Sequence, residues 1–161
     1  MPVTAFHFHL HASPASNSLS DDGFQSLPSI QFNGHDVQAW NIANIEQYAM
    51  EVSFEEVEQS MSQLPRMFFE MDGSFVWRGQ YSPVETSEGS SSASASEQNW
   101  QIDGMVYDVA GRVSRVELKG DCQWTQFQEL LDRLQPAESL VAYIIDQSCF
   151  VRVVDLMRAW Q

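Results

Sequence analysis

The sequence predicts a single α+β domain with a mixed, mainly antiparallel sheet and two to four helices. Several short segments alternate apolar and polar residues, turn pairs such as Asn33-Gly34 separate some of them, and other segments carry apolar residues at helical spacing. At 161 residues the chain is long enough to bury about two-thirds of its unfolded surface around one core. One domain spanning residues 1–161 is therefore expected.

The first elements are predicted from period-2 alternation and from one turn. Residues 6–11 place Phe and Leu on one side and three histidines on the other, which indicates a half-buried strand. Asn33-Gly34 suits the positive φ angles of a type I′ turn and predicts a hairpin over residues 30–40. From Asn41 to Val52 the apolar residues recur at helical spacing, so a helix is expected there.

The later elements start with a helix over residues 53–64, because Ser53 and Glu56 match a capping box and Pro65 ends the apolar stripe. Asp72-Gly73 then indicates a second hairpin. The remaining predictions are strands near 100–108 and 112–119, a helix from Trp124 to Leu134, a strand over 140–145, and a strand passing into a short helix over 150–160.

A serine-rich segment at residues 82–98 contains one Val, two Ala and no larger apolar residue. Such a segment cannot offset the entropy lost on ordering. It is predicted to be a flexible insertion within the domain.

Charge limits the classes of partner. Eight Lys and Arg against 22 Asp and Glu give a net charge of −14, and every cation lies at or after Arg66. The negative electrostatic potential that results disfavours binding to nucleic acid over a broad surface and binding to anionic membranes, because both depend on clustered cations. No apolar run approaches the roughly 18 residues needed to span a bilayer. A protein partner or self-association fits the composition better.

The cysteines and the amino terminus indicate a reducing compartment. Cys122 and Cys149 are far apart and form no C-x-x-C motif, which favours two thiols over a disulfide. The first fifteen residues lack the basic start and the continuous apolar stretch of a secretory signal. A cytoplasmic location is therefore expected.

A polar strand pair carries the main candidate site. If Val109-Ala110-Gly111 forms a three-residue hairpin loop, Asp103 lies opposite Glu117 and Gln101 lies opposite Lys119. Two carboxylates beside a lysine suit a hard divalent cation such as Mg²⁺. The lysine would orient a metal-bound water or offset charge that develops on a phosphoryl group.

Asp103 followed by Glu117-Leu118-Lys119 on the next strand resembles the D and E-x-K signature of the PD-(D/E)xK nuclease superfamily. The resemblance covers residues 53–146, whose element order is similar to that family's αβββαβ core. It implies that Asp103, Glu117 and the Leu118 carbonyl bind Mg²⁺ or Mn²⁺, and that Lys119 is catalytic.

The resemblance also implies a glutamate from the first helix, for which Glu58 is the candidate. Two features depart from the family: Ile102 stands where its motif often has proline, and the net charge is strongly negative. The chain also resembles small proteins of planctomycete bacteria, a resemblance that implies no function.

His7, His9 and His11 form the alternative candidate site. They project from one side of the first predicted strand about 6 to 7 Å apart, so two of them can bind one zinc ion if a third ligand arrives from elsewhere. This pattern predicts a metal-binding protein.

The sequence is compatible with three functions. The leading hypothesis is a noncatalytic accessory or interaction domain, because no strong catalytic signature is present. The alternatives are a Mg²⁺- or Mn²⁺-dependent phosphodiesterase that uses Asp103, Glu117 and Lys119, and a metal-binding protein that uses His7, His9 and His11. Whether the protein is an enzyme is left open.

Overall fold

The computed structural model describes residues 3–14, 23–81 and 99–161. The serine-rich insertion predicted at residues 82–98 lies outside these ranges.

The described chain forms nine strands and three α-helices, and none of its helices is both long and apolar enough to cross a membrane. The strands are β1 (Thr4–Ala12), β2 (Phe24–Phe32), β3 (His35–Ile42), β4 (Met67–Phe69), β5 (Ser74–Gln80), β6 (Asn99–Val109), β7 (Arg112–Cys122), β8 (Leu140–Ile144) and β9 (Cys149–Arg152). The helices are α1 (Phe54–Met61), α2 (Trp124–Leu131) and α3 (Val153–Trp160). The predicted α+β class is confirmed, with the sheet dominant.

All nine strands belong to one sheet, and every pairing is antiparallel. The strand order is β2-β3-β9-β8-β1-β7-β6-β5-β4. The first strand of the chain therefore lies in the middle of the sheet, between β8 and β7. Side chains on β1 have neighbours on both sides, which fixes them more firmly than side chains on an edge strand.

The main core lies on one face of the sheet, where all three helices pack. Phe6, Phe8 and Leu10 point to this face from β1, and the buried residues of each helix belong to the same cluster. Trp160 of α3 packs against Phe127 of α2 with ring centroids 4.7 Å apart. Each such side chain contributes about 1.5 to 3 kcal/mol on burial, so the face that holds the helices supplies most of the stability.

The opposite face carries no α-helix of the described chain. Alternation on β1 directs His7, His9 and His11 to this face. A smaller apolar cluster covers part of it, built on Ile42, Val141 and Phe150 with partly buried neighbours. We call this side the helix-free face.

Several local predictions are confirmed. The alternating segment is β1, and Asn33 and Gly34 have the positive φ angles of the predicted turn. The capping box begins α1: Ser53 N–H donates to Glu56 Oε2 at 2.8 Å, and Glu56 N–H donates to Ser53 Oγ at 3.1 Å. These features depend on nearby residues, which is why local patterns predict them.

The predicted helix over residues 41–52 is wrong. β3 continues to Ile42, and only Ile45–Gln47 forms a single 3₁₀ turn, after Asn44 in the left-handed region. Met50 N–H then donates to the carbonyl of Val113, and Val113 N–H donates to the carbonyl of Val52. Long-range pairing with β7 therefore replaces the helix that local spacing favoured.

The predicted register of β6 and β7 is also wrong. The hairpin loop has two residues, Ala110 and Gly111, both at positive φ, so Val109 lies opposite Arg112. A bulge between Tyr107 and Asp108 then shifts the pairing. The bulge restores the predicted faces, because one extra residue on one strand reverses which side each later pair occupies.

The cysteines and three of the tryptophans lie inside the domain. Cys122 and Cys149 are both buried free thiols. Trp77, Trp100 and Trp160 are buried in the main core. They therefore stabilise the domain from within and do not form an exposed aromatic patch.

Candidate metal centre

The candidate site lies where β1 pairs with β7 at the centre of the helix-free face. The register places His9 directly opposite Glu117, and His7 directly opposite Lys119. Opposed residues of an antiparallel pair share a face. The histidines of the first predicted strand and the E-x-K motif therefore form one site.

Three potential ligands converge here. His7 Nε2 lies 3.0 Å from Glu117 Oε1, and His9 Nε2 lies 3.6 Å from Glu117 Oε2. One ligand atom from each residue lies within 4.8 Å of the others. We refer to His7, His9 and Glu117 as the His-Glu cluster. Their side chains retain 29%, 26% and 34% of their exposure, so the cluster is held by the sheet and open to solvent.

A tyrosine and an arginine support the carboxylate. The Tyr107 hydroxyl on β6 donates to Glu117 Oε2 at 3.4 Å. The Arg115 guanidinium stacks over the Tyr107 ring, 4.0 Å from its centroid. Arg115 Nε is buried and has no hydrogen-bond partner within the described ranges. An unsatisfied cationic donor thus lies beside the cluster.

The local electrostatics favour the ionised form of Glu117 and the neutral form of His9. The hydrogen bond from His7 is the main cause that lowers the pKa of Glu117, and the nearby His9 and Tyr107 act in the same direction. Burial lowers the pKa of His9, although Glu117 opposes that shift. An ionised carboxylate and a neutral imidazole are the states in which these side chains ligate a metal.

His11 is set apart from the cluster. It is 7% exposed, its ring packs against Phe150 with centroids 5.8 Å apart, and its Nδ1 is buried without a partner in the described chain. Burial is the main cause that lowers its pKa to about 4. Within the described chain, the side chain that the structure brings together with His7 and His9 is therefore that of Glu117, and His11 lies apart from them.

The residues of the nuclease resemblance are only partly brought together. Asp103 lies opposite Lys119, not opposite Glu117, and it accepts a hydrogen bond from Gln101 Nε2 at 3.0 Å. Glu117 instead lies opposite Met105, which leaves the two carboxylates in diagonal positions, about 7 to 8 Å apart at Cα. All three charged residues still share the helix-free face.

Glu58 and Leu118 are placed away from this group. Glu58 belongs to α1, whose buried residues Val57 and Met61 pack on the other face of the sheet. The Leu118 side chain is buried on that same face. Because β7 has a strand on both sides, the Leu118 carbonyl lies in the plane of the sheet and is directed at a neighbouring strand.

The donor set of the His-Glu cluster suits a transition metal. Imidazole binds Zn²⁺, Cu²⁺, Fe²⁺ and Ni²⁺ well, whereas Mg²⁺ prefers an all-oxygen set. Donor atoms around a tetrahedral zinc with bonds of about 2.0 to 2.1 Å lie roughly 3.3 Å apart. His7 Nε2 and His9 Nε2 lie 3.0 and 3.6 Å from different oxygens of Glu117, and one donor atom from each residue lies within 4.8 Å of the others, so binding would draw the three side chains together.

Sequence reasoning found every member of the cluster but not the cluster itself. The H-x-H-x-H strand and the E-x-K strand each showed a polar face, yet 110 positions separate His7 from Glu117. Tyr107 and Arg115 were not identified as supporting residues. Their role depends on the bulge, which no local residue pattern indicated.

No family model matches the chain, and neither the curated proteins nor the solved structures compared with it contain a match. The resemblances to PD-(D/E)xK nucleases and to planctomycete proteins stay predictions.

Proposed function

We propose that this protein binds one divalent transition-metal ion, with Zn²⁺ as the reference ion, through His7, His9 and Glu117. The observation that carries the proposal is the convergence of two imidazole nitrogens on one carboxylate, on the two central strands of the sheet. Three protein ligands of this kind are the set found in zinc sites that keep one position for water or substrate.

The rigidity of the surroundings supports the proposal. β1 and β7 each have strands on both sides, and their other face is packed against the main core. Side chains projecting from such strands lose little further freedom when a metal binds. The Tyr107 hydrogen bond orients the carboxylate, as outer partners of metal ligands generally do.

Zinc titration by calorimetry, after removal of metal with EDTA, tests the proposal. We expect one Zn²⁺ per chain, and at least about tenfold weaker binding for His9→Ala, since a ligand is lost. His35→Ala is the matched control, because His35 is exposed at the start of β3, away from the cluster. Equal zinc affinity in both variants would overturn the proposal.

Cobalt provides a second readout. Co²⁺ bound by two imidazoles and a carboxylate in a four-coordinate site gives intense visible absorption, which surface binding does not. We expect this absorption in the wild type and the His35→Ala variant, and its loss in the His9→Ala variant.

A metal-dependent phosphodiesterase is the second candidate. The observation that favours it is the position of Lys119, which lies directly opposite Asp103 on β6 and His7 on β1. The element order from α1 to β8 has four strands between the two helices, one more than the αβββαβ core that the resemblance implies, and β1 lies between β7 and β8 in the sheet.

This second candidate is tested by incubation with Mn²⁺ and single- and double-stranded DNA and RNA. Cleavage is expected in the wild type and in Arg112→Ala, and not in Lys119→Ala. Cleavage that persists in Lys119→Ala would remove the candidate. Metal binding without cleavage would fit the noncatalytic accessory or interaction domain, which stays a prediction.

A further inference from the structure

The charges around the His-Glu cluster favour an anionic ligand. Lys119 flanks His7 in the row of side chains on one side of the cluster, and Arg115 lies on the other side, near His9 and His11. Neither cation forms an ion pair with the residues that the structure describes. Both project from β7 on the helix-free face.

The balance of charge narrows the ligand class. Glu117, Asp103 and Asp121 share this face with the two cations, so a bound divalent ion would leave one positive charge uncompensated. A three-ligand metal keeps an open position, and here the exposure of the ligands directs that position to solvent. A tetrahedral oxyanion has enough oxygens to contact the metal and both cationic side chains, whereas a carboxylate has only two.

Arg115 is a second, independent reason to expect an anionic ligand at this site. Its Nε is buried and unpartnered within the described residues, although a buried cationic donor without an acceptor is costly. Its ring-stacked guanidinium is held in one orientation by Tyr107. Oriented guanidinium groups are favoured for phosphate because their donors match its oxygens.

We infer that the metal-loaded site binds a phosphate group, which takes the open position on the metal and is contacted by Lys119 and Arg115. This inference rests on the proposed metal-binding function. It gives the site a ligand class: inorganic phosphate or the phosphate of a small monoester.

The experiment first measures Zn²⁺ binding, and then titrates inorganic phosphate into the zinc-loaded and the EDTA-treated protein. Phosphate is expected to bind only the zinc-loaded form, and acetate to bind it at least about tenfold more weakly. Phenyl phosphate forms a separate arm, which distinguishes a monoester ligand from free phosphate. Phosphate binding of equal strength with and without zinc would overturn the inference.

Variants separate the inference from the proposed function. Lys119→Met should keep zinc affinity within about twofold and lose about tenfold in phosphate affinity, because one charge-assisted contact is removed. Arg112→Met is the matched control, since Arg112 is exposed at the other end of the same strand. Unchanged phosphate affinity in Lys119→Met, or zinc binding with no phosphate binding, would refute the phosphate site and leave the metal site standing. Failure of zinc binding in the first step would refute both.

Discussion

His7 Nε2 lies 3.0 Å from Glu117 Oε1, although 110 positions separate the two residues in the chain. The contact exists because the first strand of the sequence inserts into the centre of the sheet, beside β7. It brings the histidines of β1 beside the E-x-K residues of β7, which are far apart in the sequence.

Replacing Tyr107 by Phe should weaken zinc binding by about tenfold. The change removes the hydroxyl that donates to Glu117 Oε2 and leaves the ring beneath Arg115 in place. Loss of a hydrogen bond to a metal ligand typically weakens metal affinity by about 10- to 100-fold. Because this hydrogen bond is long, at 3.4 Å, we expect a loss near the lower end of that range. Competition with a chromophoric chelator measures the change. Tyr143→Phe is the control, because Tyr143 packs beside His9 without a hydrogen bond to the cluster.

Zinc at about 100 times its dissociation constant should raise the melting temperature by roughly 5 to 10 °C. Binding only the native state at that excess adds about 2.7 kcal/mol, and 1 kcal/mol shifts a domain of this size by about 2 to 4 °C. Calorimetric melting with and without EDTA measures the shift. A similar shift in His9→Ala would show that the stabilising ion binds elsewhere.

Stability in EDTA should fall as the pH drops from about 6.5 to about 4, and His11 should account for part of the loss. Burial lowers the pKa of His11 to about 4, so the native state binds its proton less readily than the unfolded chain does. Above the pKa of His11 in the unfolded chain, neither state binds the proton and His11 costs no stability. As the pH falls toward 4, protonation of the unfolded chain lowers the free energy of unfolding by an amount on the order of 2 to 4 kcal/mol.

Urea unfolding of the wild type and His11→Gln across this pH range checks the prediction. Glutamine does not titrate, so the difference in unfolding free energy between the two proteins should change with pH. A constant difference would show that His11 titrates alike in both states.

Both thiols should resist modification until the domain unfolds. Burial raises the pKa of Cys122 to about 12 and also raises that of Cys149, so little thiolate is present at pH 8. A colorimetric thiol reagent should detect no fast-reacting group in the native protein and two in guanidinium. Cys122→Ser should reduce the denatured count to one, and a fast-reacting native thiol would contradict the buried placement.

Local patterns predicted much of the fold. Alternation identified β1, the Asn33-Gly34 pair identified a hairpin, and the Ser53 capping box identified α1, because neighbouring residues stabilise each feature. The same reasoning failed for residues 41–52. There the apolar residues are spaced as in a helix, but the backbone of Met50 and Val52 forms hydrogen bonds with Val113 on β7 instead of within a helix.

The amino-acid sequence by itself determined which side chains share a face within each strand: His7 with His9 on one, and Glu117 with Lys119 on the other. Only the tertiary structure decided that these two faces lie side by side, that Glu117 lies close to both His7 and His9, and that Glu58 lies on the other side of the sheet. The physical reason is that the pleat sets side-chain direction at every second residue, whereas strand order depends on burying the whole core at once.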